Sequence, residues 1–344
     1  MSKSISRILF LTGSYPPDVC GVGDYTQCLF DAFALRGASE AEIHLFYKKD
    51  WRISLLWQYF REIRRLHPDV LYLQYPTEGY GYSILPQLLL GLFIGRRRVV
   101  NLHEFQRKSM KGKIAITLFY LFGCRIVYTN ENDRAFANGF VPKLFHRPST
   151  MIRIGSNIPF HKGSNDTYAM AYFGLIRPRK GIEDVVQVTS ILRNAGFTKK
   201  IAFVGAIPNN YKDYAAPLLK QLKDLGVELH LNVPRDEAAD LLASSRLFVL
   251  PLEDGISERN GSILAALGNG GVIVGRATNI PQGALEGCIL YGNDAASIAK
   301  IVLTTTDAQI AQLRSASREF IESLSWSTLA GDHLCFLLGR TPTS

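Results

Sequence analysis

The feature that most constrains the fold is a regular alternation of short apolar runs with stretches of helical periodicity. Six β-branched or apolar runs precede residue 155 and six more follow residue 168. Strands alternating with helices predict βαβ units and parallel sheets with right-handed crossovers. Two successive series predict two doubly wound α/β domains. The predicted strands are 7–11, 43–47, 69–74, 99–103, 125–129, 150–154, 170–175, 200–204, 228–232, 247–251, 271–274 and 288–290.

A linker divides the two series. Residues 155–168 are rich in Gly, Ser, Asn and Pro and show no periodicity, which is typical of a connection. We therefore expect one domain over 1–160, a second over 161–322 and a closing segment over 323–344. With 344 residues, of which 47% are hydrophobic, the chain has enough apolar mass for two cores, and this composition excludes intrinsic disorder.

The excess positive charge lies in the first half of the chain. Residues 1–160 carry 21 lysines and arginines against 12 acidic residues, whereas residues 161–344 carry 18 of each. The net charge of +9 therefore indicates an anionic partner for the first domain, either a membrane surface or a nucleic acid. No helix-turn-helix, zinc-finger or basic-aromatic RNA motif is recognisable, so we expect no nucleic-acid partner.

One segment of this half favours a membrane surface. Residues 51–65 combine two tryptophans with aliphatic and basic residues over a helix length, and residues 96–98 and 108–113 add further cations. Basic amphipathic segments bind anionic lipid surfaces. The alternative is that Trp51 and Trp57 fill the core while the arginines are simply solvated.

We expect the protein to be cytoplasmic, with peripheral attachment to the inner face of the plasma membrane. The first seventeen residues lack the apolar core of a secretory signal. The longest apolar stretch, residues 84–95, has twelve residues, whereas a spanning helix needs about 20. The odd number and scattered positions of the cysteines indicate free thiols in a reducing compartment: Cys20, Cys28, Cys124, Cys288 and Cys335.

Two candidate sites follow strands of the first domain. The loop after the first strand carries Gly21 and Gly23, placed to let backbone approach a ligand at the carboxyl end of the sheet. It lacks the third glycine of a dinucleotide fingerprint, and an ordinary strand-to-helix turn is the alternative. His103 ends another strand, with Asn101 and Glu104 beside it. A structural histidine is the alternative there, although this position favours a site in the crevice.

Two further candidate sites follow strands of the second domain. Arg177, Arg179, Lys180 and Gly181 lead from a strand directly into an amphipathic helix. Cations and a glycine at the amino end of a helix are typical of a phosphate site, and a solvated basic turn is the alternative. A polar loop over 254–262 likewise opens a small-residue helix, where a nucleotide would lie.

Taken in order, these features resemble the glycosyltransferase group 1 family, whose members are retaining sugar-nucleotide enzymes of GT-B fold. The resemblance covers nearly the whole chain, and it depends on the order and spacing of motifs that are individually weak. The motifs are Pro-Pro…Gly-x-Gly at 16–23, His103, Gly…Pro-x-Lys-Gly at 174–181, Pro…Gly-Ser…Ala-Leu-x-x-Gly-Gly at 251–271, and Ser325-Trp326.

The resemblance implies two Rossmann-like domains facing a cleft, with a C-terminal helix that crosses back to the N-terminal domain. It implies transfer of a sugar from a nucleotide-diphosphate sugar to a glycan or lipid-linked acceptor, in cell-surface polysaccharide or glycolipid synthesis. The implied catalytic residues are His103, Lys180 and Arg177. No Asp-x-Asp pair is present to hold a divalent ion, so we expect no metal and no cofactor beyond the donor.

The chain departs from the family at three positions. The family places an arginine where Leu175 stands, and Arg177 is the expected substitute. Its two glutamates align with Ser257 and Ala265, of which Ala265 cannot contact a ribose. A non-catalytic nucleotide-sugar-binding or scaffold protein is therefore the alternative function. The residues expected to bind the donor are Gly21, Gly23, Asp254, Ser257, Glu258, Asn260, Gly261 and Ser262, with Asp254 or Glu258 standing in for the missing sugar contact.

Overall fold

The computed structural model describes residues 6–18, 20–37, 41–161, 166–278 and 285–340. The chain forms two compact units. The first comprises Met1–Gly155 together with Leu324–Ser344, and the second comprises Ser156–Ser323. The described segments 6–155 and 324–340 therefore belong to the same unit.

The first unit contains a six-stranded sheet in which the described strand pairs are all parallel. The strand order is β2-β1-β3-β4-β5-β6, so the chain reverses its direction of travel between β1 and β3. The strands are β1 (Ser6–Thr12), β2 (Ala41–Tyr47), β3 (Val70–Tyr75), β4 (Arg97–Leu102), β5 (Arg125–Tyr128) and β6 (Ser149–Met151).

Helices cover both faces of this sheet, because successive strand residues alternate between two apolar cores. Leu9 and Leu11 belong to one core, and Ile8 and Phe10 to the other. The second core includes residues of the first and last helices, which pack together. The helices are α1 (Gly21–Gly37), α2 (Leu56–Arg65), α3 (Leu85–Leu92), α4 (Met110–Leu121), α5 (Glu131–Phe140) and, at the end of the chain, α12 (Trp326–Leu338).

The second unit repeats this architecture with the strand order β12-β11-β10-β7-β8-β9, again parallel in the described pairs. Its strands are β7 (Tyr168–Leu175), β8 (Ile201–Ala206), β9 (Glu228–Leu231), β10 (Ser245–Leu250), β11 (Val272–Arg276) and β12 (Ile289–Gly292). Its helices are α6 (Ile182–Asn194), α7 (Lys212–Asp224), α8 (Arg235–Ala243), α9 (Gly261–Gly268), α10 (Ala295–Thr304) and α11 (Asp307–Ser323).

The structure confirms the predicted fold class of two doubly wound parallel sheets. Each of the twelve predicted strands coincides with an observed one, and no end differs by more than three residues. The largest difference is at β6, which ends at Met151, three residues before the predicted end. Short apolar runs between helical segments were a sufficient signal because the inner strands of each sheet, such as β3 and β10, are buried on both faces.

The last helix has a cap at each end and packs on α1 of the first unit. Ser325 is the N-cap of α12, and its hydroxyl accepts a hydrogen bond from the backbone N–H of Thr328 at 3.2 Å. Gly339 ends the helix in the left-handed conformation, with φ of 69°. The Trp326 ring packs edge-on against Tyr25 of α1, with centroids 5.3 Å apart.

The basic segment 51–65 is not one exposed helix. Trp51 is 3% exposed and packs edge-on against Tyr80 and Tyr59, so it belongs to the core of the first unit. A short 3-10 turn over Ile53–Leu55 precedes α2. Trp57, in contrast, is 58% exposed. The core interpretation is therefore confirmed for Trp51 and wrong for Trp57, and binding to a membrane surface stays a prediction.

None of the described helices is long and apolar enough to cross a bilayer. Two helices of the first unit instead present single apolar side chains outward. On α4, Met110, Ile114 and Leu121 are 62%, 58% and 45% exposed, at spacings that place them on one helical face. Ile53, in the 3-10 turn before α2, and Trp57, in the first turn of α2, are similarly exposed. We call these five residues the apolar ridge.

Candidate functional site

The second unit has a topological switch point between β7 and β10. These strands are neighbours, yet the chain leaves β7 toward β8 on one side and leaves β10 toward β11 on the other. Ligands of open α/β sheets bind where strand order reverses, at the carboxyl ends of the strands. The predicted basic turn follows β7, and the predicted polar loop follows β10. The fold therefore brings both segments to one edge of the sheet.

The basic turn after β7 fits closely against the loop after β10. Arg179 and Gly181 both have φ of 69°, which makes the turn tight. A Cβ at Gly181 would lie 2.2 Å from the carbonyl oxygen of Pro251, so no side chain fits there. Arg179 also forms ion pairs with Asp254 and Glu253 of the other loop. Glycine is thus required at position 181 by contact between the two loops.

Lys180 is the cation most closely enclosed by this turn. Its side chain is half-buried, and burial lowers the pKa of the ammonium, with the nearby positive charge of Arg177 acting in the same direction. Asp254 partly offsets this by raising the pKa. Arg177 is exposed, as is Leu175 at the end of β7. Two cations therefore lie near one another at the amino end of α6, an arrangement that an anion would stabilise.

The amino end of α6 itself lacks a side-chain cap. Its N-cap is Gly181, so the first backbone N–H groups of the helix have no side-chain acceptor at that position. The two acids of the first turn have partners elsewhere. Glu183 accepts from the Tyr214 hydroxyl at 2.7 Å, and Asp184 pairs with Arg276 at 3.4 Å. Uncapped amides beside Lys180 suit a phosphate group.

The amino end of α9 is also uncapped. The side-chain oxygen of its N-cap, Asn260, accepts from the backbone N–H of Ser257 at 2.7 Å and from the Ser257 hydroxyl at 2.9 Å. These two residues therefore stabilise the loop instead of capping the helix. Gly261 is exposed, and a Cβ there would meet nothing within 4 Å. Glu258 and Ser262 are half-buried beside it.

Ala265 lies deeper in α9 and is fully buried. It packs in the core of the second unit with Ile263, Leu264 and Leu267, which are 4% exposed or less. This position offers no polar group to a nucleotide. Asp254, one of the expected substitutes for the family's sugar contact, pairs with Arg179.

His103 lies directly after β4 in the first unit and is half-buried. Its Nε2 is 3.3 Å from the side-chain oxygen of Gln74, which lies in the neighbouring strand β3. The ring of Tyr25 packs edge-on against the imidazole, with centroids 4.8 Å apart. His103 is therefore held along one edge and against one face.

The hydrogen bonds continue from this point into the core. The Asn101 amide nitrogen donates to Gln74 Oε1 at 3.0 Å and to the Tyr25 hydroxyl at 3.3 Å. The Tyr25 hydroxyl lies 3.0 Å from Nε2 of His333 on α12, whose Nδ1 lies 2.6 Å from the Tyr72 hydroxyl. Burial lowers the pKa of His333 to about 3, so this imidazole is neutral. We call Gln74, Asn101, Tyr25, His333 and Tyr72 the buried polar chain.

The two glycines predicted to bind the donor have different surroundings. Gly23 is buried in the first turn of α1, where a Cβ would lie 3.2 Å from the backbone of Ser14. Close packing of α1 on the loop after β1 accounts for this glycine. Gly21 is exposed, and a Cβ there would meet nothing within 4 Å.

The predicted residues thus form two groups, one in each unit. The second unit brings Arg177, Lys180 and Asp254 to the edge of the sheet where α9 begins, and the first unit holds His103. Among the described residues, no three His, Cys, Asp or Glu side chains lie close enough together to hold a metal ion.

Sequence reasoning missed most of the buried polar chain. The available signal was a Gln and an Asn near the ends of otherwise apolar strands, at Gln74 and Asn101. Strands buried on both faces are nearly all apolar, so polar residues there indicate a local network. His333 gave no such signal, because a single histidine in a helix is common.

No protein-family profile matches the chain, and no curated protein sequence matches it at a significant level. Solved structures do resemble it. HepE from Anabaena, in complex with UDP and glucose, has a TM-score of 0.69 at 16% identity, covering 97% of this chain and 100% of that chain. A glycosyltransferase from Rickettsia africae ESF-5 has a TM-score of 0.69 at 12% identity, with 98% and 100% coverage.

A third structure, WaaG, a glycosyltransferase involved in lipopolysaccharide biosynthesis, has a TM-score of 0.62 at 12% identity over 96% of this chain and 100% of that chain. The chain has the GT-B fold. At these low sequence identities, the similarity of this GT-B chain to the three structures establishes its fold and not its activity.

Proposed function

We propose that this GT-B chain is a retaining, metal-independent glycosyltransferase that moves a sugar from a nucleoside diphosphate sugar to a glycan or lipid-linked acceptor. The proposal depends on one observation: the basic turn after β7 and the polar loop after β10 contact each other at the switch point between these two strands. There, Lys180 and Arg177 lie beside the uncapped amino end of α6. This is the chemistry that a diphosphate requires.

The similar structures support this donor class. HepE has been solved with UDP, with UDP and glucose, and with UDP-glucose. Uracil and glucose are therefore the first base and sugar to test. The open space above Gly261, at the uncapped start of α9, gives the nucleotide room to approach a second set of backbone amides.

The proposed chemistry depends on charge that develops as the sugar–phosphate bond breaks. The departing diphosphate gains negative charge, and Lys180, Arg177 and the helix amides stabilise that charge more strongly than they stabilise the bound donor. Cations of the chain thereby take the place of a divalent ion. Retention is inferred from the family resemblance, in which the acceptor arrives on the face from which the diphosphate leaves.

His103 is proposed to orient the donor sugar through a hydrogen bond between a sugar hydroxyl and its neutral imidazole. The ring is half-buried, and its contacts with Gln74 and Tyr25 restrict its rotation. A fixed hydrogen-bonding group contributes more to the transition state than a mobile one, because no ordering is needed during the reaction.

We further propose that the first unit binds an anionic lipid surface that carries the acceptor, with the protein on the inner face of the plasma membrane. The apolar ridge supports this. Exposed cations flank it on both helices: Arg107 and Lys111 at the start of α4, and Arg61 and Arg64 on α2. Apolar insertion and attraction to anionic headgroups act together in such surfaces. The pathway, cell-surface polysaccharide or glycolipid synthesis, follows from that acceptor class.

The proposal is tested by incubating the purified protein with labelled sugar nucleotides, UDP-glucose first, and following release of the nucleoside diphosphate. We expect turnover that EDTA leaves unchanged. His103→Ala should lower kcat by about 10²-fold while nucleotide binding is retained, and His67→Asn, at an exposed position, should turn over as wild type does.

Activity that is lost in EDTA and restored by Mg²⁺ or Mn²⁺ would disprove the metal-independent mechanism. An active His103→Ala enzyme would make His103 a structural residue.

A non-catalytic nucleotide-sugar-binding or scaffold protein is the second candidate. Two observations favour it, the fully buried Ala265 and the pairing of Asp254 with Arg179. The family that the sequence resembles directs two polar side chains at the donor. In this chain Ala265 stands in place of one, and Asp254, an expected substitute for the other, is paired with Arg179. Binding of sugar nucleotides without hydrolysis or transfer of any of them would establish this alternative.

A further inference from the structure

The edge of the His103 ring meets a buried side-chain oxygen. Gln74 Oε1 lies 3.3 Å from His103 Nε2 and also accepts from the Asn101 amide nitrogen at 3.0 Å. Gln74 and Asn101 are both fully buried. A carbonyl oxygen has two lone pairs and only accepts hydrogen bonds, so its two neighbours must both be donors.

This pair of amides is costly for the fold. Asn101 Oδ1 has no hydrogen-bond partner among the described residues, and Gln74 Nε2 lies near the Tyr72 hydroxyl without forming a hydrogen bond of normal geometry. A buried polar atom without a partner is destabilising by about 1–3 kcal/mol, and apolar side chains of similar shape would avoid that cost. Stability alone therefore does not account for this pair, and the contact of Gln74 with His103 supplies a reason for it.

The chain behind Gln74 is rigidly anchored. The Tyr25 hydroxyl joins Asn101 to His333, and His333 joins Tyr25 to Tyr72. Burial raises the pKa of both tyrosines, so their hydroxyls stay protonated and neutral. The four side chains come from β3, β4, α1 and α12, which pack around one core. Gln74 is joined to this anchored chain through Asn101.

We propose that Gln74 is a positioning residue for His103, whose imidazole it holds in the neutral tautomer with the proton on Nε2. The lone pair then lies on Nδ1, where it accepts a hydrogen bond from a hydroxyl of the donor sugar. This inference rests on the proposed function, in which His103 orients that sugar. It assigns the direction of the contact: the sugar donates and the histidine accepts.

Nitrogen-15 NMR of the histidine rings tests the tautomer without any need for activity. We expect the His103 signals of the wild type to show a protonated Nε2 and a bare Nδ1. Gln74→Met removes the acceptor at nearly constant volume and should give a mixture of both tautomers. Gln87→Met is the matched control, because Gln87 is also fully buried and its Nε2 donates a side-chain hydrogen bond to the Tyr75 hydroxyl at 3.1 Å.

The same variants separate positioning from stability in kinetics. Gln74→Met should lower kcat about tenfold and leave KM for the donor within about twofold, whereas Gln87→Met should change neither, although both variants lose stability. Identical His103 signals in Gln74→Met and wild type would overturn the inference, as would a wild-type ring protonated on Nδ1. If Gln74→Met shifts the tautomer while the wild type transfers no sugar, the proposed function fails and the positioning role stands.

Discussion

Lys180 and Arg179 are neighbours of like charge with different surroundings. Arg179 pairs with Asp254 and Glu253, which neutralise it. Lys180 is half-buried, and burial together with Arg177 lowers its pKa. A cation whose charge is costly in the empty site is the one that gains most when an anion binds. Lys180 is therefore the residue that we expect to act on the diphosphate.

Lys180→Ala should lower kcat by about 10²-fold, because it removes a charge that stabilises the departing diphosphate. Lys199→Ala, at an exposed position of the same unit, is the control and should retain full activity. Steady-state kinetics with the best donor measure both, and urea unfolding checks that both fold. Normal turnover of Lys180→Ala would place the phosphate site elsewhere.

The lowered pKa of Lys180 also has a consequence for donor binding. The ammonium loses its proton at a lower pH than an ordinary lysine, so donor affinity should decline as the pH rises into the alkaline range. Lys180→Arg keeps its charge throughout and should show a weaker decline. Equal alkaline declines in the two proteins would mean that another group titrates.

At the scale of elements, contact between loops determines the shape of the basic turn. Gly181 and Gly226 both have φ near 70°, a conformation that favours glycine, but their surroundings differ. A Cβ at Gly181 would lie 2.2 Å from the Pro251 carbonyl oxygen, whereas one at Gly226 would meet only an Arg193 nitrogen at 4.0 Å. Substitutions at these two glycines therefore distinguish the cost of a left-handed backbone, which both share, from the cost of steric exclusion, which only Gly181 has.

Gly226→Ala should be destabilising by about 1–2 kcal/mol, the usual cost of a left-handed alanine. Gly181→Ala should be destabilising by at least about 3 kcal/mol, or shift the loop and weaken donor binding, because the Cβ has no space. Urea unfolding and donor titration of the two variants give the comparison. Equal destabilisation by the two substitutions would mean that the loops after β7 and β10 can move apart at no cost in stability.

The last helix contributes a titratable group to the first unit. His333 is fully buried, and its pKa falls from an ordinary value of 6.5 to about 3. The unfolded chain therefore binds one more proton than the folded chain at pH values between these two. The free energy of unfolding must decrease as the pH falls through this window, by up to about 1.4 kcal/mol per pH unit.

His333→Asn should be less stable than wild type near neutral pH, because contacts with Tyr25 and Tyr72 are lost. It should also lose less stability than wild type between about pH 7 and about pH 5, since the titrating group is gone. Urea unfolding across this range provides the measurement, with the exposed His67→Asn as control. Parallel pH profiles for wild type and His333→Asn would show that His333 is not neutral in the fold.

For the whole molecule, charge and exposed apolar area coincide in the first unit. The sequence carries its net charge of +9 in residues 1–160, and the apolar ridge lies on α2 and α4 of that part. Surfaces of this kind bind anionic membranes by attraction and by insertion, and salt weakens only the first of these.

The protein should sediment with vesicles containing anionic lipid at low salt and release partly at high salt. A double variant, Met110→Ser with Ile114→Ser, should bind less at both salt concentrations because insertion is reduced. Leu35→Ser is the matched control, because Leu35 is 90% exposed on α1, across the sheet from α4. Failure of the wild type to bind at low salt would exclude a membrane partner.

The sequence predicted regular elements better than it predicted surfaces. Strand positions follow from short apolar runs, which do not depend on distant residues. Whether Trp51 or Trp57 faces outward does depend on them. Trp51 lies against Tyr80, 29 positions further along the chain, while Trp57 has no such cover. The composition of segment 51–65 is consistent with a membrane surface and with a core position, so composition could not decide between these two interpretations.

The sequence by itself determined two parallel α/β units and the basic turn at Lys180, because periodicity and residue type are local properties. Only the tertiary structure decided that Asp254 neutralises Arg179, that Gly23 serves packing, and that His103 connects through Gln74 to His333. These contacts join residues 75, 29 and 308 positions apart, as in Arg179–Asp254, His103–Gln74 and Tyr25–His333. Their energies depend on burial and geometry, which arise only when the strands and helices pack.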